Sequence, residues 1–254
     1  MNKQIAVFSS LAALTFSLAL PASARDSSDH GDHTVARAFV GWESEYVFRG
    51  IQASKYAVRP GAEIVTEDFY GGFLATLSAD SDFSHQHELN FHAGLRHDVD
   101  DLLLLDMGGI LYYFPRLDNE LPDATDVSGE LFFGVGLDLL GQPWLYSYYD
   151  VELEDFTMEG RLEHQIVLDE DWWLDLAAIG GHAWVREGKV WAAPNENYLY
   201  STLKADLRYA IDEAATLSVG GRLSGNELGD GVREQLGGAN ASNLWWTASF
   251  SAKF

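Results

Sequence analysis

The sequence predicts an all-β protein, a transmembrane antiparallel up-and-down β-barrel of about 12 strands. Three observations carry that prediction. Apolar and polar residues alternate with period 2 along most of the chain. The connections between alternating segments are tight at one end and mostly long at the other. Large aromatic residues gather at both ends of the segments.

The chain begins with a different pattern. Lys3 precedes a mostly apolar run, Ile5 to Leu20, and Pro21 leads to Ala22-Ser23-Ala24. A short charged region, an apolar region and a small-x-small site predict a secretory signal peptide over residues 1–24. The polar residues 25–35 predict a flexible arm, and 36–254 the barrel itself. Without cysteine there is neither a disulfide nor a thiolate metal site.

The first segment, "VGWESEYVFRGIQ", places Val40, Trp42, Tyr46 and Phe48 on one face, with Ser44 between them. Glu43, Glu45 and Arg49 lie on the other. Segments follow near residues 57, 72, 86, 102, 127, 143, 156, 172, 198, 215 and 244. The clearest is "QHELNFHAGLRHDV", where Leu89, Phe91, Ala93 and Leu95 oppose Glu88, Asn90, His92 and Arg96. Phe156 to Leu168 sets Met158, Leu162 and Ile166 against Glu159, Arg161 and Glu163. Leu199 to Tyr209 sets Leu203 and Leu207 against Lys204, Asp206 and Arg208, and Ala215 to Gly225 sets Leu217, Val219 and Leu223 against Arg222. The last segment sets Leu244, Trp246, Ala248 and Phe250 against Thr247, Ser249 and Lys253.

A soluble sandwich also alternates, so the choice rests on the other features. With the N-terminus in the periplasm, the periplasmic turns are tight (Asp98 to Asp101, Ile211 to Ala214), and the outer loops are mostly long (Phe114 to Asp126, Gly225 to Asn243). Trp172, Trp173, Tyr209, Phe69 and Tyr70 mark one aromatic girdle. Tyr46, Phe48, Tyr112 to Phe114, Trp184, Tyr198, Trp245 and Trp246 mark the other. Gly41, Gly61, Gly94, Gly134, Gly136 and Gly220 fall on the polar face, where a crowded lumen gives small residues a purpose. A closed barrel pairs every backbone N–H and C=O within lipid.

Several motifs point further. "SEYVFRGIQAS" resembles the first strand of the TorF-type porin family of exported proteobacterial proteins, through Ser44, Tyr46, Phe48, Arg49, Gly50 and Ile51. "LDMGGILYYFP", "DVSGELFFGVGL" and "WLYSYYDVE" resemble strands of the same family. The resemblance implies an outer-membrane channel. The terminal strand ending in Phe254 resembles the signal read by the barrel-assembly machinery.

The polar faces converge on one expected interior: Glu43, Glu45, Arg49, Arg59, Glu63, Glu88, Arg96, Glu130, Arg161, Glu163, Lys204, Asp206, Arg208 and Arg222. Two readings stand: a charged constriction that sorts ions and small hydrophilic solutes, or a salt-bridged interior that closes the barrel. Without Lys3 the chain has 15 basic and 39 acidic residues, which excludes nucleic acid as a partner. Outer-membrane lipid is the expected surroundings, in the bacterial outer membrane. No metal or cofactor is expected: His85 and His87 lack a third ligand, and the arm's Asp29, His30, Asp32 and His33 read as a tail. An outer-membrane hydrolase is the least favoured reading. Ser84 and His85, with Asp80 and Asp82 nearby, are adjacent in sequence and point to opposite faces of a strand, so no enzyme is expected.

Overall fold

The computed structural model describes residues 34–79, 87–115, 126–186, 196–230 and 240–254. The expected signal peptide, nearly all of the arm, and Asp80, Asp82, Ser84 and His85 lie outside them. Twelve strands run in order: β1 (Val35–Phe48), β2 (Ile51–Val65), β3 (Phe69–Ser78), β4 (Glu88–Asp98), β5 (Leu103–Tyr113) and β6 (Val127–Leu137). The second half adds β7 (Trp144–Asp150), β8 (Phe156–Val167), β9 (Trp172–Trp184), β10 (Tyr198–Ala210), β11 (Ala215–Asn226) and β12 (Ser242–Lys253). Each pairs antiparallel with its sequence neighbours, and β1 closes on β12 through pairs such as Trp42 with Ala248. The barrel is the expected one, with twelve strands, and closure removes the sheet edge.

Alternation decides which side of the wall each residue meets. Leu95, Leu131, Leu162, Leu203, Val219 and Trp246 are exposed on the outside. Their strand neighbours Asn90, Glu130, Glu159 and Thr202 are buried inside. Such an exterior matches the apolar outer band of a transmembrane barrel. Tight turns set the spacing at the end expected in the periplasm. Asp100 Oδ1 accepts the backbone N–H groups of Leu102 and Leu103, each at 2.8 Å. Asp212 does the same for Ala214 and Ala215. A short Asp side chain supplies that local turn bond.

The outer aromatic girdle differs from expectation. Tyr113, Trp184 and Trp246 are exposed, but Tyr112, Phe114, Tyr198 and Trp245 are buried inside. At the other end Phe69 and Trp172 are exposed and Tyr70 is buried. The reason is the same alternation: adjacent aromatics on a strand point to opposite faces.

The larger correction concerns the first hairpin. β2 begins at Ile51, six residues before the expected start near 57. Arg49 (φ 42°) and Gly50 (φ 82°) form the two-residue turn, both with positive φ as a type I′ hairpin requires. β1 pairs with β12 only as far as Glu43 opposite Thr247, and β2 pairs with β3 only from Ala57 opposite Ser78. Residues beyond those points pair with each other: Glu45 with Lys55, Tyr46 with Ser54, Phe48 with Ile51. The hairpin therefore leaves the wall and bends into the lumen. Tyr56, at φ 54°, makes the bend, and its carbonyl accepts the Ala79 N–H at 2.8 Å. The Trp246 N–H donates to Ser44 Oγ at 3.0 Å on the other side. Val40 and Trp42 face outward at 44% and 41% exposure, whereas Tyr46 and Phe48, expected on the same lipid face, retain 3% and 2%.

Candidate functional site: the barrel interior

The hairpin folds inward because the interior offers an apolar surface to meet. Phe48, Ile51 and Ala53 pack with Ile110, Tyr112, Ile179, Ala183, Tyr198 and Leu228 in one buried cluster. Burying a side chain of the size of Phe or Ile stabilises by about 1.5–3 kcal/mol relative to leaving it in water. The tip is also fixed by polar contacts. Arg49 Nη2 donates to Glu130 Oε2 at 3.0 Å, with both side chains almost wholly buried. Asn226 Nδ2 donates to the Gly50 carbonyl at 2.7 Å. Gly50 is needed here twice over, for its φ and because a Cβ would lie 2.9 Å from the Gly225 carbonyl oxygen and from Tyr200 Cβ.

Below the hairpin, the wall of β3 to β7 is filled. Asp106 accepts from Tyr70 OH at 2.8 Å, Arg96 Nη2 at 2.7 Å and Tyr146 OH at 2.9 Å. Arg96 lies over Trp144, which stacks on Tyr146 at 5.4 Å. Arg161 lies over Tyr146, donates to Tyr148 OH at 2.6 Å and pairs with Glu159. Arg49 lies over Tyr148 in turn. Guanidinium groups and rings alternate up this wall, each ring face attracting the cation above it. Glycine makes room for the rings: Tyr70 occupies the space of a Cβ at Gly94, and Tyr146 that at Gly134.

The opposite side is hollow. A cavity of about 440 Å³ is bounded by β8 to β12, by β1 and by the Arg59 side of β2. It runs from Val47 and Arg49 on the hairpin to Leu139–Gln142 in the tight turn between β6 and β7. Eight of the fourteen residues expected in the lumen line it: Glu43, Arg49, Arg59, Glu163, Lys204, Asp206, Arg208 and Arg222. Most are paired there. Arg59 Nη1 donates to Glu43 at 2.7 Å, Arg222 Nη2 to Asp206 at 2.6 Å, and Arg208 pairs with Asp175 at 3.0 Å.

The other six are dispersed. Glu130 and Arg161 meet the filled wall, as does Arg96 through Asp106. Glu63 is buried and accepts from Arg37 Nη1 at 2.8 Å, away from the cavity. Glu88 is buried beside Asn90, which donates to it. Glu45 sits half-buried at the base of the hairpin, opposite Lys55. Sequence reasoning leaves Asp106, Asp175 and the rings of Tyr146, Tyr148 and Tyr200 out of the lumen set, and with them Glu159, which it places on the polar face. Period 2 carries the signal for the acids, since Glu159 shares a face with Arg161. It also carries a signal for the hairpin: Ile110 and Tyr112 fall on the inward face with Asp106, and inward apolar residues demand an apolar partner. His87 Nδ1 accepts the Ser78 N–H at 3.2 Å. Among the described residues no three His, Asp or Glu side chains gather as metal ligands.

Residues 26–219 match the family described as Gcw_chp, bacterial protein of unknown function. The chain belongs to that family. No curated protein matches this chain by sequence. Solved structures share its fold. The NanC porin superposes with a TM-score of 0.54 at 9% identity, over 86% of this chain and 100% of that one. The KdgM porin gives 0.54 at 8% identity, over 86% and 99%. The COG4313 outer membrane channel from Pseudomonas putida F1 gives 0.51 at 11%, over 88% and 96%. At such identities the likeness is one of fold: this Gcw_chp member is a porin-like twelve-stranded barrel.

Proposed function

We propose that this Gcw_chp protein is an outer-membrane porin-like channel, exported through a cleaved signal peptide, that passes ions or small hydrophilic solutes through a charged lumen. The observation that carries this reading is the cavity of about 440 Å³, lined by fixed charges and reaching from the hairpin to the periplasmic turns. A charged, polar cavity is hydrated, and a hydrated lumen with paired charges admits small polar solutes by size and sign. The resemblance of "SEYVFRGIQAS" to TorF-type porins and the porin-like fold of the structural relatives both favour it. In this reading the hairpin is the constriction, and the barrel's outer partners are lipid and, during assembly, the barrel-assembly machinery acting on the strand that ends at Phe254.

One observation favours a second reading. The Arg49–Glu130 pair and the apolar cluster hold the hairpin across the lumen, which suits a closed barrel with a structural or interaction role. Reconstitution into planar bilayers separates the two. Stepwise current from the wild-type protein supports the channel. Inserted, heat-modifiable barrels that carry no current support the closed barrel.

A further inference from the structure

The wall is uneven at the end that carries the tight turns. Each turn there accepts a backbone N–H from the strand that follows its hairpin. The Asp68 carbonyl takes Arg96, two residues before β4 ends, and the Leu102 carbonyl takes Asp138, just past the end of β6. Asp171 takes Ala210 and Ala214 takes Lys253, the last residues of β10 and β12. At β8 the pattern breaks. The Gly141 carbonyl accepts the Glu163 N–H at 2.8 Å, yet β8 runs on to Val167 with β9 alone beside it. β7 is short, at 7 residues, and leaves a notch in the wall. Backbone direction alternates along an antiparallel strand. Gln165 and Val167 therefore turn their N–H and C=O groups the same way as Glu163, and neither finds a backbone partner on that side among the described residues. The turn at the notch also differs in composition. Its tip is Leu139 and Leu140, where the other turns carry Asp68, Asp100, Asp171 and Asp212. Leu140 is 88% exposed, and so is 73% of Val167, although alternation directs Val167 inward with Glu163 and Gln165. Leu139, Leu140, Gln165 and Val167 all border the cavity, so the cavity opens at the notch.

We propose that the notch is a side entrance at which a zwitterionic phospholipid places its head group in the cavity and keeps its acyl chains outside, against the wall. This goes beyond the channel reading: it rests on the barrel standing in lipid and not on the passage of current. Two needs meet at the notch. The backbone groups of Gln165 and Val167 require polar company, because bare N–H and C=O groups are costly in hydrocarbon. Leu139 and Leu140 require apolar company, and they continue the exposed outer band of Leu162 and Ile166 to the lip of the notch. Water meets the first need alone, and an acyl chain the second alone. An amphiphile meets both. The charge of its head follows from the cavity. Basic and acidic side chains border the cavity in equal number, five of each. Opposite charges also stand together beside the notch: Gln165 Nε2 donates to Asp175 Oδ1 at 2.9 Å, and Asp175 pairs with Arg208 at 3.0 Å. A head with a phosphate and an ammonium group offers the phosphate to Arg208 and the ammonium to Asp175. A purely anionic head leaves Asp175 facing a like charge. The volume of about 440 Å³ lies in the range of small-molecule sites.

The chain contains no cysteine, so a single thiol can carry a fluorophore without background. Full-length Leu162→Cys, Gln165→Cys and Ser218→Cys variants are each labelled with bimane and reconstituted in phosphatidylcholine vesicles. A fixed fraction of the lipid is brominated along its acyl chains, and bromine quenches bimane at close range. Leu162→Cys, on the outer face, should be quenched. Gln165→Cys faces inward beside the notch and should be quenched nearly as strongly. Ser218→Cys borders the cavity behind the continuous wall of β10, β11 and β12 and should keep its emission. Exchanging the brominated phosphatidylcholine for brominated phosphatidylglycerol should lower the quenching at Gln165→Cys and leave that at Leu162→Cys unchanged. Quenching at Leu162→Cys without quenching at Gln165→Cys overturns the side entrance. Equal quenching at Gln165→Cys and Ser218→Cys overturns it too, since chains would then fill the cavity rather than stop at the notch. Equal quenching by the two brominated lipids at Gln165→Cys overturns the zwitterionic head. An unquenched Leu162→Cys overturns the placement of the barrel in lipid, and the lipid site with it, whatever current the protein carries.

Discussion

The two walls below the hairpin are built from the same alternation, yet one is full and the other is hollow. On β3 to β7 the inward positions carry Tyr70, Tyr112, Phe132, Trp144, Tyr146 and Tyr148, and glycines opposite them take up the ring area. On β9, β11 and β12 the cavity is lined by Ala177, Ser218, Thr247 and Ser249. Charge does not distinguish the walls, because each has its arginines and its carboxylates. Side-chain volume does. The lumen is therefore shaped by the aromatic and small residues on the polar face, and the charges pair within the shape those residues leave.

The largest effect expected on this comparison comes from the group that ties the filled wall together. Asp106→Ala removes a buried carboxylate, leaves the partly buried Arg96 without its partner and takes away the acceptor of two tyrosine hydroxyls. Breaking a buried pair from one side costs about 3–5 kcal/mol. The urea midpoint for folding into vesicles should fall accordingly. Asp206→Ala, which removes a more exposed carboxylate beside the cavity that accepts from Arg222 and Thr247 and from no tyrosine, should cost clearly less, because Asp206 is less buried and carries fewer strong hydrogen bonds than Asp106. Equal losses would erase the distinction between the walls.

Next comes the latch above both walls. Arg49→Ala and Glu130→Ala each leave a buried charge alone and should weaken the hairpin's hold by about 3–5 kcal/mol, while the double variant should lose less than the sum. The readout that separates this from general instability is local. Cleavage by protease within 44–56 should rise, and bilayer current should grow, while the heat-modifiable gel shift persists. A variant whose current is unchanged would show that the hairpin does not narrow the path.

How far the sequence led follows from the same contrast. Period 2 identifies strand faces, and so the twelve strands and their closure were legible. The hairpin was not. Tyr46 and Phe48 continue the outward face of Trp42 in sequence, but β1 loses its β12 partner after Glu43, and alternation has no meaning once a strand leaves the wall. The clue lay at the turn: Arg49–Gly50 between β-prone residues suits a two-residue type I′ hairpin rather than a long outer loop. Pairing was illegible for another reason. Arg59 finds Glu43 on the neighbouring strand, but Arg49 finds Glu130, 81 residues away, across the lumen. Distance across a barrel depends on which side chains fill it, and that is a property of volume rather than of pattern.

A smaller effect tests volume directly, one glycine on each wall. A Cβ at Gly134 would meet the Tyr146 ring at well below contact distance, whereas at Gly41 the nearest atom is the Arg59 carbonyl oxygen at 3.8 Å. Gly134→Ala should therefore cost about 1–3 kcal/mol through overpacking. Gly41→Ala should be tolerated within about 0.5 kcal/mol, as substitutions with free space are. If Gly134→Ala were neutral, the rings would be movable and the filled wall would not be rigid.

The smallest effect expected belongs to the turns that end each wall. Asp100 follows β4 on the filled side and Asp212 follows β10 on the hollow side, and each accepts two backbone N–H groups at 2.8 Å. The two N–H bonds hold the Asp100 carboxyl below its usual range, because they favour the charged form. A depressed folded value means the stabilisation is present at neutral pH, where both states are ionised, and fades as pH falls through that folded value. Asp100→Ala should therefore lower the urea midpoint slightly at pH 7, and the gap to wild type should close as the pH falls below the ordinary aspartate range. Asp212→Ala should give a loss of the same small size at pH 7, since the turn chemistry is the same. A markedly larger loss at Asp100 would mean that the turn is coupled to the packed rings above it. Rigidity would then extend down the filled wall to the rim of tight turns, while on the hollow side each turn would stand by itself.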